Sequence, residues 1–238
     1  MRLTGVGMGP GDPELVTVKA VRVLQEAHLV VVPVMSADEQ GRAEATVRAH
    51  VTHDRIERLV FALDDRRGTS PERTRAWDDA ADAVAEALRS KGSVAFATIG
   101  DPNVYSTFTY LADAVRERLP EVVIETVPGI TAMQDLAARS GTVLCEGTES
   151  LALLPLTAGI AAFDEALTHF DSVVAYKGGR HMREVREVLE RHGRLDSAVF
   201  GAALGLAAEQ VGALPAEAAP YLSTVIAPAR RTGRGSKL

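Results

Sequence analysis

The stretch from Leu3 to Val34 constrains the fold more than any other part of the chain. Leu3–Gly7 is a short apolar run that stops in glycines, as a buried strand does at its end. Asp12-Pro13-Glu14 then predicts a helix start. Asp12 can cap it, Pro13 suits the first helical position, and Glu14 complements the helix dipole. Leu15, Val18, Val21 and Leu24 recur at spacing three and predict one apolar stripe. His28–Val34 returns as a strand that is apolar throughout. Strand, helix and strand in so few residues predict a βαβ unit, and with it a parallel sheet. The class is α/β.

The alternation continues. Arg42–Val51 reads as helical and Phe61–Pro71 as an exposed loop. Glu72–Arg89 reads as an amphipathic helix with Trp77, Ala80, Ala81, Val84 and Leu88 inward. Ser93–Ile99 is the next strand, and Phe108, Leu111, Val115 and Leu119 mark the helix after it. Pro120 is the candidate junction, dividing the chain into domains 1–120 and 121–238. The second half offers strands at Val122–Val127, Leu151–Leu154, Ser172–Tyr176, Ala198–Ala203 and Leu222–Ala227. Helices near Phe163–Phe170 and Met182–His192 lie between them. The last ten residues are polar and predicted to fray.

Composition removes several classes of function. A chain of 238 residues, 46% hydrophobic and 24% charged, is ordinary globular material. The apolar runs Leu29–Met35 and Leu151–Phe163 fall short of the ~20 residues that a bilayer span requires. The start MRLTGVGMG has no signal-peptide core. One cysteine, Cys145, cannot form an internal disulfide, which suits a cytoplasmic protein and reads as a buried thiol. The formal net charge of −6, with no basic stripe, argues against nucleic acid as a partner. The terminal Ser236-Lys237-Leu238 spells a peroxisomal address and is read as coincidence. His50 and His53 lack the companions of a zinc site and read as surface residues, so no metal is expected.

GVGMGPGD (Gly5–Asp12) lies between strand and helix, where nucleotide loops live. It fails the dinucleotide pattern G-x-G-x-x-G, because the last position is Pro10 or Asp12. It also lacks the lysine of a phosphate-binding P-loop. The stronger signal is a set of three loops. GVGMGPGD, IGDPNVYSTFTYL (Ile99–Leu111) and TVPGITAM (Thr126–Met133) each follow a strand and are rich in Gly or Pro. Loops at the carboxyl ends of parallel strands can converge on one ligand.

In this order, and with the later YKGG (Tyr176–Gly179), these motifs resemble the tetrapyrrole methylases that use S-adenosylmethionine. The resemblance covers nearly the whole chain. Within the family GDPNVYSTFTYL is most similar to the branch that methylates C20 of precorrin-2 or of its cobalt-containing counterpart. The resemblance implies two α/β domains, with a mostly parallel first sheet and a mixed second one. It places the cofactor in the cleft between them, the first domain on the substrate side and the second on the cofactor side. Cofactor contacts carry over to Pro10, to Ile99, Gly100, Asp101, Val104 and Tyr105, to Thr131 and Ala132, and to Lys177 and Leu204. S-adenosylhomocysteine is the implied product and a homodimer the implied assembly.

Methyl transfer from a sulfonium to an electron-rich carbon needs alignment and exclusion of water more than an acid–base triad. No catalytic side chain is assigned. Asp101 reads as a partner of the methionine ammonium, as a residue that helps orient the turn, or as a cap before Pro102. The implied substrate carries eight carboxylates, so an acidic protein needs a local basic patch. Arg42, Arg66, Arg67, Arg180 and Lys177 are the candidates. Methylation at another ring position, a non-catalytic tetrapyrrole carrier and a nucleotide-linked dehydrogenase are the competing readings.

Overall fold

The computed structural model describes residues 1–36, 38–61, 71–157, 159–233 and 235, with only the backbone of Glu72. The chain forms two compact units, Met1–Thr131 and Ala132–Leu238. The sequence placed the junction at Pro120. The units instead divide after Thr131, because the strand beyond Pro120 completes the first sheet.

The first unit contains β1 (Arg2–Gly7), α1 (Val18–Glu26), β2 (Leu29–Val34), α2 (Arg42–His50) and β3 (Ile56–Val60). It continues with α3 (Pro71–Lys91), β4 (Ser93–Thr98), α4 (Phe108–Arg118) and β5 (Val123–Val127). The strands pair in the order β3-β2-β4-β1-β5, and every pairing is parallel. Apolar residues on alternate sides of each strand need helices on both faces. Leu29 and Val31 pack with Ala80, Val84 and Leu88 of α3 and Leu111 and Val115 of α4. Val30 and Val32 pack with Ala20 and Leu24 of α1 and Ala43 and Val47 of α2.

The first helix departs from expectation. Asp12 does accept from the Glu14 N–H at 2.9 Å, but it caps only a 3-10 turn, Pro13–Leu15. Thr17 caps α1 itself, accepting from Ala20 N. The stripe therefore rotates: Val18 is 87% exposed, while Ala20 and Leu24 reach the core. Strand β3 was not foreseen. Phe61, assigned to an exposed loop, is fully buried against Phe96. The rest of that loop, 62–70, with Arg66 and Arg67, lies outside the described residues.

The second unit holds α5 (Ala132–Ser140), β6 (Leu151–Pro155), α6 (Ala161–His169) and β7 (Ser172–Tyr176). Beyond these come α7 (Met182–Arg191), β8 (Val199–Ala202), β9 (Gln210–Gly212) and β10 (Ser223–Ala227). The order is β6-β7-β10-β8-β9, with β6 and β7 parallel and the other pairings antiparallel. The sheet is mixed, as the family resemblance implies. Its core gathers Phe163, Val173, Val185, Leu189, Phe200 and Val225.

Three smaller expectations fail. Cys145 is exposed, not buried. His50 and His53, read as surface residues, are half-buried and bonded to the Pro13 carbonyl at 2.7 Å and the Leu24 carbonyl at 3.2 Å. Arg230 and Arg231, counted with the frayed tail, are anchored. Arg230 donates to the His192 and Gly193 carbonyls, and Arg231 binds the Glu149 carboxylate through Nε at 2.9 Å. Among the described residues no helix is long and apolar enough to cross a membrane.

Candidate functional site

In the first unit three neighbouring strands, β4, β1 and β5, release their loops at the same edge of the sheet. The loops are bonded to each other by backbone. Met8 N donates to Thr98 O at 2.9 Å, and Gly100 N donates to Gly9 O at 2.7 Å, which makes a short antiparallel bridge. At Gly129 a Cβ would fall 2.1 Å from Gly100 O and 2.8 Å from Gly7 Cα. No residue but glycine lets these three turns approach so closely. Gly100 has φ +68° and faces the other way: a Cβ there would meet nothing within 4 Å. The cradle is tight on its inner side and open beyond Gly100.

Asp101 has a position that its sequence neighbours do not reveal. One carboxylate oxygen accepts from Asn103 N at 2.8 Å, and the other accepts from Gly129 N at 2.9 Å. The Asn103 side chain donates to Thr126 Oγ1 at 3.2 Å. Asp101 thus ties the β4 loop to the β5 loop, as the reading that it orients the turn expects, and it does not cap α4. Thr107 stands at the N-cap of α4 without a side-chain bond, and Ser106 before it accepts from Phe108 N at 3.1 Å and pairs with Thr98 Oγ1 at 3.0 Å.

Among the described residues three non-glycine positions have positive φ: Tyr105 at 51°, Lys177 at 59° and Ala203 at 50°. Each costs about 1–3 kcal/mol, and such strain persists where the surroundings enforce it. Tyr105 lies in the β4 loop, 43% exposed, and partial desolvation raises its phenol pKa. Lys177 directly follows β7 and Ala203 directly follows β8. Both strands run antiparallel to β10, so their carboxyl ends share one edge of the second sheet. The start of α5 reaches that edge too, since Met133 N donates to Tyr176 Oη at 2.9 Å. Lys177 N donates to Ser223 O at 3.0 Å, and its Nζ sits 6.0 Å from the Tyr221 ring centre.

The residues singled out by sequence therefore gather in two groups. Pro10, Ile99, Gly100, Asp101, Val104, Tyr105 and Thr131 belong to the first unit's loop edge. Pro10 and Thr131 are buried, and Val104 N donates to Asp101 O at 3.2 Å. Ala132, Lys177 and Leu204 belong to the second unit's edge. Of the arginines, Arg180 is spent on the fold, donating to the Thr157 carbonyl and to His181 Nε2. Arg42 opens α2, and burial lowers its pKa. Sequence reasoning named the motifs that hold Gly7, Gly129 and Tyr176 but not their contacts, and it missed Ala203. The spacing PGIT after a strand was the visible signal for Gly129. The Tyr176 hydroxyl contact had none.

The full-length pattern matches the family described as Tetrapyrrole (Corrin/Porphyrin) Methylases over residues 2–220. The chain belongs to the tetrapyrrole methylase family. It is 34% identical to a precorrin-2 C(20)-methyltransferase from Sinorhizobium sp over 240 residues, covering 95% of each chain. It is 28% identical to the cobalt-precorrin-2 C(20)-methyltransferase of Salmonella typhimurium, covering 94% of this chain and 95% of that one. The fold resembles a uroporphyrin-III C-methyltransferase from Thermus thermophilus crystallised with S-adenosylhomocysteine. That pair has a TM-score of 0.63 at 22% identity, covering 95% of this chain and 97% of the other.

Proposed function

We propose that this tetrapyrrole methylase transfers the methyl group of S-adenosylmethionine to C20 of precorrin-2, giving precorrin-3A and S-adenosylhomocysteine. The observation that carries the reading is similarity to a C20-methyltransferase over nearly the whole of both chains. In the reaction a C–C bond forms at C20, the sulfonium S–CH3 bond breaks, and the C20 hydrogen leaves as a proton. The cofactor supplies the electrophilic methyl group and a neutral thioether leaving group.

We assign the cofactor to the cradle. Gly100 leaves room for a ligand to lie against bare backbone, and Gly7 and Gly129 hold the turn in place behind it. We assign the apolar side chains of Ile99, Val104 and Pro10 and the exposed ring of Tyr105 to the cofactor's contacts. Thr131 belongs to the same unit, and the family resemblance implies further contacts at Ala132, Lys177 and Leu204. Asp101 acts at one remove, keeping two of the loops in register. The chain's contribution is then alignment of donor and acceptor carbon, with water kept out. The family resemblance further leads us to propose a cytoplasmic homodimer.

The test is incubation with precorrin-2 and S-adenosylmethionine carrying a ¹³C methyl group. One labelled methyl on C20 by mass and NMR is the expected product. A label on any other carbon, or none, would overturn the assignment. A parallel reaction with the cobalt-containing substrate asks which of the two is turned over faster.

A further inference from the structure

Arg42 differs from Arg180, the other arginine weighed for substrate binding that lies among the described residues. Gly41, just before it, packs on the end of β2, where a Cβ would come 2.9 Å from Pro33 O and 3.2 Å from Val34 Cγ1. Arg42 therefore begins α2 at the carboxyl edge of the parallel sheet. That is the edge from which β4, beside β2, and β1 and β5 release the cradle loops. Its side chain is partly buried, and among the described residues no hydrogen bond or ion pair holds the guanidinium. The nearby acid on its own helix, Glu44, is committed elsewhere, to Arg48 at 2.8 Å and to Arg58 at 2.7 Å. Flanking the same edge, Met35 after β2 and Val60 at the end of β3 are 55% and 44% exposed.

A desolvated cation without a counter-ion is costly to keep and becomes favourable when an anion arrives. Its position on the first helical residue adds to this, since the helix dipole repels Arg42 and attracts a carboxylate. Exposed apolar side chains beside a single forked cation suit a flat apolar ring system with acidic arms. We infer that Arg42 is a specificity-determining contact that takes one peripheral carboxylate of the tetrapyrrole substrate. The inference rests on the proposed reaction and adds to it a residue that recognises the acceptor, not the cofactor.

The experiment compares wild type, Arg42→Met and Arg42→Lys in three measurements. Thermal melting without ligands should give Arg42→Met a Tm equal to or above that of wild type. A lower Tm means the guanidinium is bonded within the chain and overturns the inference. Steady-state kinetics should show the KM for precorrin-2 raised about tenfold or more in Arg42→Met, as expected for a lost charged hydrogen bond, with kcat held within about twofold. Arg42→Lys should recover only part of this, because an ammonium cannot fork onto a carboxylate. Calorimetry with S-adenosylhomocysteine should give the same Kd for all three. An unchanged KM in Arg42→Met overturns the role of Arg42, and so does a Kd shift as large as the KM shift. A wild-type enzyme that fails to methylate precorrin-2 overturns the reaction instead.

Discussion

Gly129 and Gly100 sit in the same cradle but fail in different ways when given a side chain. At Gly129 a Cβ would lie 2.1 Å from a carbonyl oxygen, so the loops must separate. Gly129→Ala is expected to lose about 1–3 kcal/mol, the usual cost of overpacking, together with cofactor binding. Gly100→Ala meets no atom and costs only the strain of φ +68°, about 1–2 kcal/mol. Its methyl group enters the space assigned to the ligand. The expected result is a folded protein with S-adenosylhomocysteine affinity at least about tenfold weaker. Melting curves and calorimetry on the two variants check this, and an unchanged S-adenosylhomocysteine affinity in Gly100→Ala would show that the open side of Gly100 has no special role. At this scale the glycines were legible in the sequence and their partners were not. Asp101 and Gly129 are joined across 28 residues by one hydrogen bond. Nothing in the GDPNVY motif distinguishes a cross-link from a cap, since both ask for a short acidic side chain.

Glu44 gives a second test at the residue scale. Its side chain is fully buried, and burial pushes its pKa up. Hydrogen bonds from Arg58 and Arg48 outweigh that and hold it below the ordinary glutamate value of 4.5. A depressed folded-state pKa contributes stability that is present above pH 4.5 and lost as pH falls through the folded value. Glu44→Gln should therefore lower Tm at pH 7. It should also flatten the decline of Tm between pH 5 and pH 3 relative to wild type. A parallel decline in both proteins would show that other carboxylates govern acid unfolding.

Elements show where pattern reading holds and where it breaks. Helices α3 and α4 bury the residues that their periodicity named, because a long amphipathic helix has one way to face a sheet. Helix α1 begins five residues later than expected because Thr17 is as good a cap as Asp12, and spacing alone cannot choose between two caps. Strands β3 and β9 escaped notice as sheet edges: β3 carries Glu57 and Arg58, and β9 is three exposed residues. In the second unit, Arg194 reaches across element ends. Its terminal nitrogen donates to the carbonyls of Asp171, Ala227 and Pro228, each at 2.7 Å. These sit at the start of β7 and the end of β10, the sheet edge opposite Lys177 and Ala203. Arg194→Met would leave buried carbonyls unpaired and should cost about 2–4 kcal/mol. Since the edge is the far one, S-adenosylhomocysteine affinity measured well below the melting point should not change. A weakened affinity without lost stability would refute the structural role.

For the whole molecule, charge sets the terms on which the substrate is met. The chain carries a formal charge of −6, and the proposed acceptor carries eight carboxylates, so long-range forces oppose encounter. Arg42 acts against this only at contact. The two effects respond to salt in opposite senses. The Debye length falls from about 30 Å at 0.01 M to about 8 Å at 0.15 M, so salt removes the repulsion first, because it operates over the longer distance. In wild type, weaker repulsion and a weaker Arg42 contact partly cancel, and kcat/KM for precorrin-2 should vary little over that range. In Arg42→Met only the repulsion remains, and kcat/KM should rise with salt by about two- to fivefold. Stopped-time product assays at four or five ionic strengths separate the two slopes. If kcat/KM falls with salt in both proteins alike, then the field at the entrance is positive despite the net charge. Recognition of the carboxylates would then be shared among basic groups other than Arg42.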